Sequence, residues 1–281
     1  MQMYDSYDLW DLPVKQTLWW APYVPEFRTL PTHQEPITSY NARCPPDTPQ
    51  ITEAIACKLP SINVPKYLLY LQNRATTAGA HVIKTRLPVD AGLNHTLHST
   101  ESLLSQHPRP AADIFVNATG LGAAKLCHDD RIFPIRGQTV LVKGEALATR
   151  TRLGDGYTAY CIPRPGSGTT ILGGTKEKGN WSEEVDPMAT ERILQDARVL
   201  APELLDSKGG FEVVSVQCGL RPGREGGPRV EREVLKGGRR VVHAYGHAGA
   251  GYQNSVGCAR LVGQLVEKGL AKSREGERAK L

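Results

Sequence analysis

The stretch from Tyr245 to Val262, YGHAGAGYQNSVGCARLV, constrains the fold of this chain more than any other. RRVVHAYGH alternates weakly and reads as a strand, and Gly246, Gly249 and Gly251 follow it with alanines between them. Val256, Ala259, Val262, Leu265 and Val266 then recur at helical spacing, which predicts a helix from near Asn254 or Ser255. Glycines between a strand and a helix remove the side chains that would hold a ligand off the backbone N–H groups, and the helix start adds the positive end of its dipole. A flat or anionic ligand suits such a turn, as does close packing with no ligand. The order is not G-x-G-x-x-G, the usual dinucleotide fingerprint.

A second glycine turn, TGLGAA from Thr119 to Ala124, follows the short apolar run ADIFVNATG (112–120). It also lacks the last glycine of the fingerprint, but two such turns at the ends of two strands can face one crevice at the carboxyl edge of a doubly wound sheet. Before it, Pro65, Leu68, Leu69, Leu71, Ala75 and Gly79 mark a helix from Val64, and HVIKTRL (81–87) reads as a strand. The middle of the chain changes character. QTVLVKGE and TTILGGT alternate with period two around turn residues from Pro163 to Gly168, which predicts antiparallel sheet. Asp186-Pro187 opens a helix carrying Ile193, Leu194, Ala197 and Leu200, and FEVVSVQCGLRP is a strand stopped by Pro222, followed by a Gly/Arg/Glu-rich connection. The first 60 residues, rich in proline and holding Trp10, Trp19 and Trp20, read as loops and short strands without a core element.

Composition excludes several classes. The formal charge of +5 is spread along the chain, and its densest basic run, KSREGERAK, is broken by two glutamates, so there is no nucleic-acid footprint. No apolar run reaches the roughly 18 residues of a membrane span, and MQMYDSYDLWDLP has neither a basic nor an apolar leader region. Six cysteines without C-x-x-C or other metal-like spacing read as free thiols in a reducing compartment, and no metal site is expected. His243 and His247 have no cysteine or carboxylate at ligand spacing and read as packing residues. G-x-S-x-G, P-loop and H-E-x-x-H motifs are absent. Arg221, at the end of an apolar strand, can grip a carboxylate in bidentate fashion or lie solvated at the strand end. Tyr157 and Tyr160 at a strand start read as amphipathic packing, and a phenol there can also steer a polar substrate.

Five ordered blocks, VNATGLGA (116–123), IRGQTVLVKGE (135–145), AYCIPRPGSGTTILGGT (159–175), GLRPGREGGPRVERE (219–233) and VVHAYGHAGAGYQNSVGCARLV (241–262), together resemble the D-amino-acid oxidases, particularly the fungal ones; VPEFRTLP (24–31) is similar to a loop of that family. The resemblance implies an α/β fold, in which an FAD-binding doubly wound domain (60–142 and 222–281) is interleaved with an antiparallel-sheet substrate domain (1–59 and 143–221). It implies FAD-dependent oxidation of D-amino acids to imino acids, which hydrolyse to 2-oxo acids and ammonia, with oxygen reduced to hydrogen peroxide. By motif, Arg221 and Tyr160 would meet the substrate carboxylate, the Gly249 carbonyl the substrate amine, and Gln253 would lie near the active site with Tyr157 as a second tyrosine. Thr119, Ala248, Gly249, Ala250, Gly251, Tyr252 and Gln253 would touch the flavin. Ala279-Lys280-Leu281 is one small residue from the S-K-L tail read by the peroxisomal import receptor, which points to the peroxisome. The expected partners are thus a D-amino acid, oxygen and that receptor, with a homodimer left open.

The family also opens with an apolar strand and G-x-G-x-x-G that hold the FAD pyrophosphate, and these 281 residues contain neither. The expectation is that neighbouring strands keep unpaired edges and exposed apolar faces, and that the chain alone holds FAD poorly. Three readings therefore stand: an oxidase completed by a further segment, a non-catalytic relic or interaction module, and a related flavoenzyme such as a D-aspartate, glycine or sarcosine oxidase. For D-aspartate, Arg164 is the candidate for the second carboxylate.

Overall fold

The computed structural model describes residues 1–14, 17–106 and 111–278, the last seven by backbone alone; Ala279, Lys280 and Leu281 lie outside the described residues. The strands are β1 (Gln2–Trp10), β2 (Arg28–Thr29), β3 (Glu53–Ser61), β4 (Phe115–Asn117), β5 (Ile132–Lys143), β6 (Thr149–Gly154), β7 (Tyr157–Arg164), β8 (Thr169–Gly173), β9 (Glu177–Lys178), β10 (Val213–Arg224), β11 (Arg229–Val234) and β12 (Arg240–Tyr245). The helices are α1 (Ile37–Arg43), α2 (Val64–Thr77), α3 (Gly92–Ser105), α4 (Ala123–Leu126), α5 (Pro187–Leu200) and α6 (Gly251–Arg278). None of them is long and apolar enough to cross a membrane. The fold is mixed α/β, as the sequence implies. It divides into two units, one of Met1–Val82, Gly137–Lys176 and Glu183–Gly219, the other of Ile83–Arg136, Glu177–Ser182 and the chain from Leu220 onward.

In the first unit the strands run β5-β8-β7-β6-β1-β3-β2, with β10 beside β5. The alternating blocks pair antiparallel as their period predicts, with Val140 opposite Leu172 and Cys161 opposite Leu172 on the other side. One face is closed by two helices. Leu9, Val140, Val142, Ala159, Cys161 and Leu172 of the sheet meet Ile37 and Tyr40 of α1 and Ile193, Ala197 and Leu200 of α5. The start of α5 is fixed by Asp186, whose carboxylate accepts the Met188 N–H at 2.9 Å, with Pro187 in the first turn. Its inward residues recur at i, i+4 and i+7, and burying each large one contributes about 1.5–3 kcal/mol.

Several expectations are corrected in this unit. The first 60 residues are not devoid of core elements: β1 lies between β3 and β6, and Leu9 is fully buried. The strand escapes the pattern because Ser6 and Asp8 interrupt its apolar alternation, while ladders on both sides satisfy its backbone. Helix α2 starts and stops as expected, with the Asn63 side chain accepting the Lys66 N–H, but Leu68, Leu69, Tyr70 and Leu71 are exposed and none of its residues is buried. No strand forms over 81–87, where Val82 and Ile83 are exposed, because extended chain becomes a strand only against a neighbouring backbone. Pro222 does not stop β10, which continues to Arg224; an edge strand tolerates a residue without an N–H.

The second unit holds a three-stranded sheet in the order β11-β12-β4. β11 falls in the supposed connection before Arg240 and pairs antiparallel with β12, closing a hairpin over Leu235–Arg239. Four of its six residues, RVEREV, are charged, so it carries little apolar signal. β4 runs parallel to β12 and, among the described residues, forms one edge of this sheet, with Val116 half exposed. α6 packs on β11 and β12 and begins at Gly251, a turn earlier than the apolar spacing predicts.

Candidate functional site

Parallel pairing of β4 and β12 decides where the two glycine turns stand. Phe115, Val116 and Asn117 lie opposite Val241, Val242 and His243, so both strands end at one edge of the sheet. The turn through Gly120–Gly122 and the turn through Ala248–Ala250 leave that edge side by side, at the carboxyl ends where open α/β sheets take ligands. β10 runs against both: Pro222 is the nearest neighbour of the space beside Gly120, and Arg224 fills the space beside Gly246. Arg221, the residue before Pro222 and half buried, is thus carried past the same turns.

The second turn is bare by construction. Gly246 has φ +85°, and a Cβ there would stand 2.7 Å from the Arg224 Cβ, so only glycine fits. Ala248 adopts φ +51°, a left-handed conformation that alanine rarely takes and that marks stored strain. A Cβ at Gly249 would meet nothing within 4 Å, and at Gly251 nothing closer than 3.9 Å. The backbone there is open to a guest rather than packed shut. Tyr252 and Gln253 follow in the first turn of α6, both exposed.

A polar network behind the turns holds them, and it went unread in the sequence. Asn117 Oδ1 accepts the Thr119 N–H at 3.2 Å and its hydroxyl at 2.8 Å; Asn117 Nδ2 donates to Cys127 Sγ at 3.1 Å and lies 3.2 Å from His243 Nδ1. His243 is fully buried, and its Nε2 lies 3.0 Å from Glu233 Oε2. Arg229 donates to Glu233 and to the Tyr245 hydroxyl, which donates to Asp129; Arg224 donates to the same Asp129 oxygen at 2.8 Å. Burial, followed by the positive charge of Arg229, lowers the His243 pKa against the opposing pull of Glu233. Burial pushes the Tyr245 phenol up to about 12. Only the β4–β12 register could have revealed these partners, since Asn117 and His243 are 126 residues apart.

The first unit carries the two tyrosines. Tyr160 lies opposite Gly173, and its ring covers that glycine: a Cβ on Gly173 would stand 2.1 Å from the Tyr160 Cζ. Tyr157, three residues earlier in the strand, projects from the other face. Its hydroxyl donates to Asp11, which also pairs with Arg152 at 2.8 Å, and burial raises its pKa. The structure therefore separates Tyr157 from Tyr160, and one ligand cannot meet both phenols. Arg164 shares the Tyr160 face but lies four residues further along.

The profile of the FAD dependent oxidoreductase family matches residues 21–265. The chain belongs to that family. Among the relatives of this chain, the D-amino-acid oxidase of Fusarium vanettenii is 41% identical over 177 residues, 60% of this chain and 49% of the relative. The D-amino-acid oxidase of Schizosaccharomyces pombe is 38% identical over 205 residues, 70% of this chain and 55% of the relative. The D-aspartate oxidase of Talaromyces thermophilus is 37% identical over 209 residues, 73% and 52% respectively. The chain thus spans about half the length of these relatives. The crystal structure of glycine oxidase from Geobacillus kaustophilus superposes with a TM-score of 0.66 at 20% identity, covering 94% of this chain and 71% of that one, a likeness of fold.

Proposed function

We propose that this chain carries substrate- and flavin-contacting parts of an FAD-dependent oxidase of D-amino acids, with a 2-oxo acid, ammonia and hydrogen peroxide as products. The observation that carries the reading is the pair of glycine turns at one sheet edge, with open space beside Gly249 and Gly251 and a strained Ala248 between Gly246 and them. These features fit a flat ring laid on backbone: Thr119 and the Ala248–Gln253 segment would hold it, and the start of α6 would oppose negative charge developing on it. FAD, when bound, accepts the hydride lost from the substrate Cα. Arg221 grips the substrate carboxylate and the Gly249 carbonyl takes an amine N–H, so the protein acts mainly by orienting the Cα–H bond. By the family resemblance Tyr160 is assigned to substrate binding, which Tyr160→Phe reads as a raised KM.

D-Aspartate is the second reading, for which Arg164, on the Tyr160 face of β7 and four residues further along, is the candidate partner of the second carboxylate. The relevant experiment joins the chain to the G-x-G-x-x-G segment of a relative and measures flavin uptake and peroxide from D-alanine, L-alanine and D-aspartate. Peroxide from D-alanine above the other two is expected; flavin uptake without D-specific peroxide would overturn the reading. The bare chain, titrated alongside, is expected to hold FAD weakly. We further assign Ala279-Lys280-Leu281 as a peroxisomal address, read by whether a fluorescent fusion leaves peroxisomes when the tripeptide is removed.

A further inference from the structure

The buried histidine behind the glycine turns has a defined job. Asn117 Oδ1 receives the Thr119 N–H, and an N–H can only donate, so that atom is the oxygen and the other terminal atom is the NH2. The NH2 faces His243 Nδ1, which must then be an acceptor and carry no proton. The ring proton accordingly sits on Nε2 and is donated to Glu233 Oε2, an oxygen that also pairs with Arg229 at 2.9 Å. One tautomer satisfies every partner. We propose that His243 is a positioning residue: as the neutral Nε2–H tautomer it fixes the Asn117 amide, which pins the Thr119 backbone and hydroxyl and so sets the first glycine turn, and protonation at Nδ1 releases that turn.

The groups that face His243 support the assignment. From β11 come Glu231, opposite it in register, with Glu233 and Arg229; from β4 and the turn after α4 come Asn117 and Cys127; within β12 the Tyr245 ring stands edge-on at 5.7 Å. A proton on Nδ1 would confront the Asn117 NH2, donor against donor, and the amide could relieve this only by turning its oxygen away from Thr119. Glu233, partly exposed, is the solvent end of the chain, and Thr119 is its end at the turn. Burial keeps the ring neutral to below the ordinary histidine range near 6.5. Neutral-state stabilisation is therefore complete above about pH 6.5 and is lost as the pH falls through the lowered folded value.

The inference rests on the proposed function only in taking the Thr119 turn as a flavin contact, and its test needs no flavin. In the 15N-labelled chain, the His243 Nδ1 and Nε2 shifts and the amide protection of Thr119 would be followed from pH 8 to 4.5, in wild type and in His243→Asn and His243→Phe. Asn keeps an acceptor where Nδ1 stood, whereas Phe does not. An Nε2–H tautomer is expected, with Thr119 protection falling about tenfold, the worth of one hydrogen bond, in His243→Phe and on acidification of wild type, but steady across pH in His243→Asn. An Nδ1–H tautomer, or Thr119 protection indifferent to His243 protonation, would overturn the proposal, and the wild-type titration decides it if His243→Phe fails to fold. Loss of flavin binding in the joined protein with these signatures intact would instead count against the proposed function.

Discussion

Gly173→Ala tests whether the Tyr160 ring is seated on bare backbone. A Cβ at position 173 would stand 2.1 Å from Tyr160 Cζ and 2.4 Å from both Cε2 and the hydroxyl oxygen. Carbon atoms rest about 3.5–4.0 Å apart, so the ring must lift by at least about 1.4 Å or the β7–β8 ladder must open. Overpacking of this kind costs about 1–3 kcal/mol. Alanine also removes the entropic penalty of glycine in a strand, about 0.5–1 kcal/mol, which offsets part of it. The net expectation is destabilisation by about 0.5–2 kcal/mol, read as a shift in the urea midpoint with unchanged slope. In a Tyr160→Ala background the clash disappears and the same substitution should stabilise, so the cycle reports a coupling of about 1–3 kcal/mol. Equal destabilisation in both backgrounds would refute the reasoning, since some neighbour other than Tyr160 would then demand the glycine. In the flavin-loaded joined protein, a phenol displaced by this much should lower kcat/KM by up to about a hundredfold.

Three further perturbations follow from the same coordinates. Asp11→Ala leaves the buried Arg152 guanidinium without its ion-pair partner and the Tyr157 hydroxyl without its acceptor, and should cost about 3–5 kcal/mol in chemical denaturation; adding Arg152→Met and Tyr157→Phe should recover most of it, and a single-variant cost below about 1 kcal/mol would mean the pair is not desolvated. Asp186→Ala removes the cap of α5 and should cost about 1 kcal/mol, with no change expected from Asp186→Asn, which keeps the acceptor. Tyr4 and Tyr245 are both raised to about 12, mainly by burial, so the stability tied to their neutral phenols is complete below about pH 10 and is lost as the pH rises through about 12. In an alkaline absorbance titration four of the ten tyrosines, Tyr4, Tyr40, Tyr157 and Tyr245, should therefore ionise late; a single transition near the ordinary value would contradict the burial argument.

What the sequence makes legible is local. α5 announces itself through a cap, a proline and an i, i+4, i+7 stripe, and the β5, β7 and β8 blocks through period-two alternation, because each signal lies within a dozen residues. β1, β11 and the fate of 81–87 are different, because a strand is made by its neighbour as much as by its own residues. β1 holds Ser6 and Asp8 in a central position because β3 and β6 complete its ladder, and β11 forms from mostly charged sequence because the β12 hairpin supplies its partner. HVIKTRL has the composition of a strand but no ladder among the described residues. The same reasoning explains α2, whose leucines have helical spacing but no surface in their own unit to cover.

At the candidate site this division has a chemical consequence. Glycine content shows where the backbone is bare, because a missing side chain is visible residue by residue; it cannot show what holds the bare turn in shape. A turn with Ala248 in the left-handed region and open space beside Gly249 would relax unless its surroundings over-determined it. Arg224, held by Asp129, packs beside Gly246 in this turn, while Asn117 and His243 hold the neighbouring Thr119 turn, and these residues are scattered over more than a hundred positions. Register brings them together, and each buried polar atom then has a partner, so that no described one is left unsatisfied. In such a network, removing one member exposes the others to an uncompensated loss, which ties the shape of the Thr119 turn to the protonation of His243. The residues that contact a guest and the residues that make contact possible are thus written in different parts of the chain, and only the parallel pairing of β4 with β12 joins them.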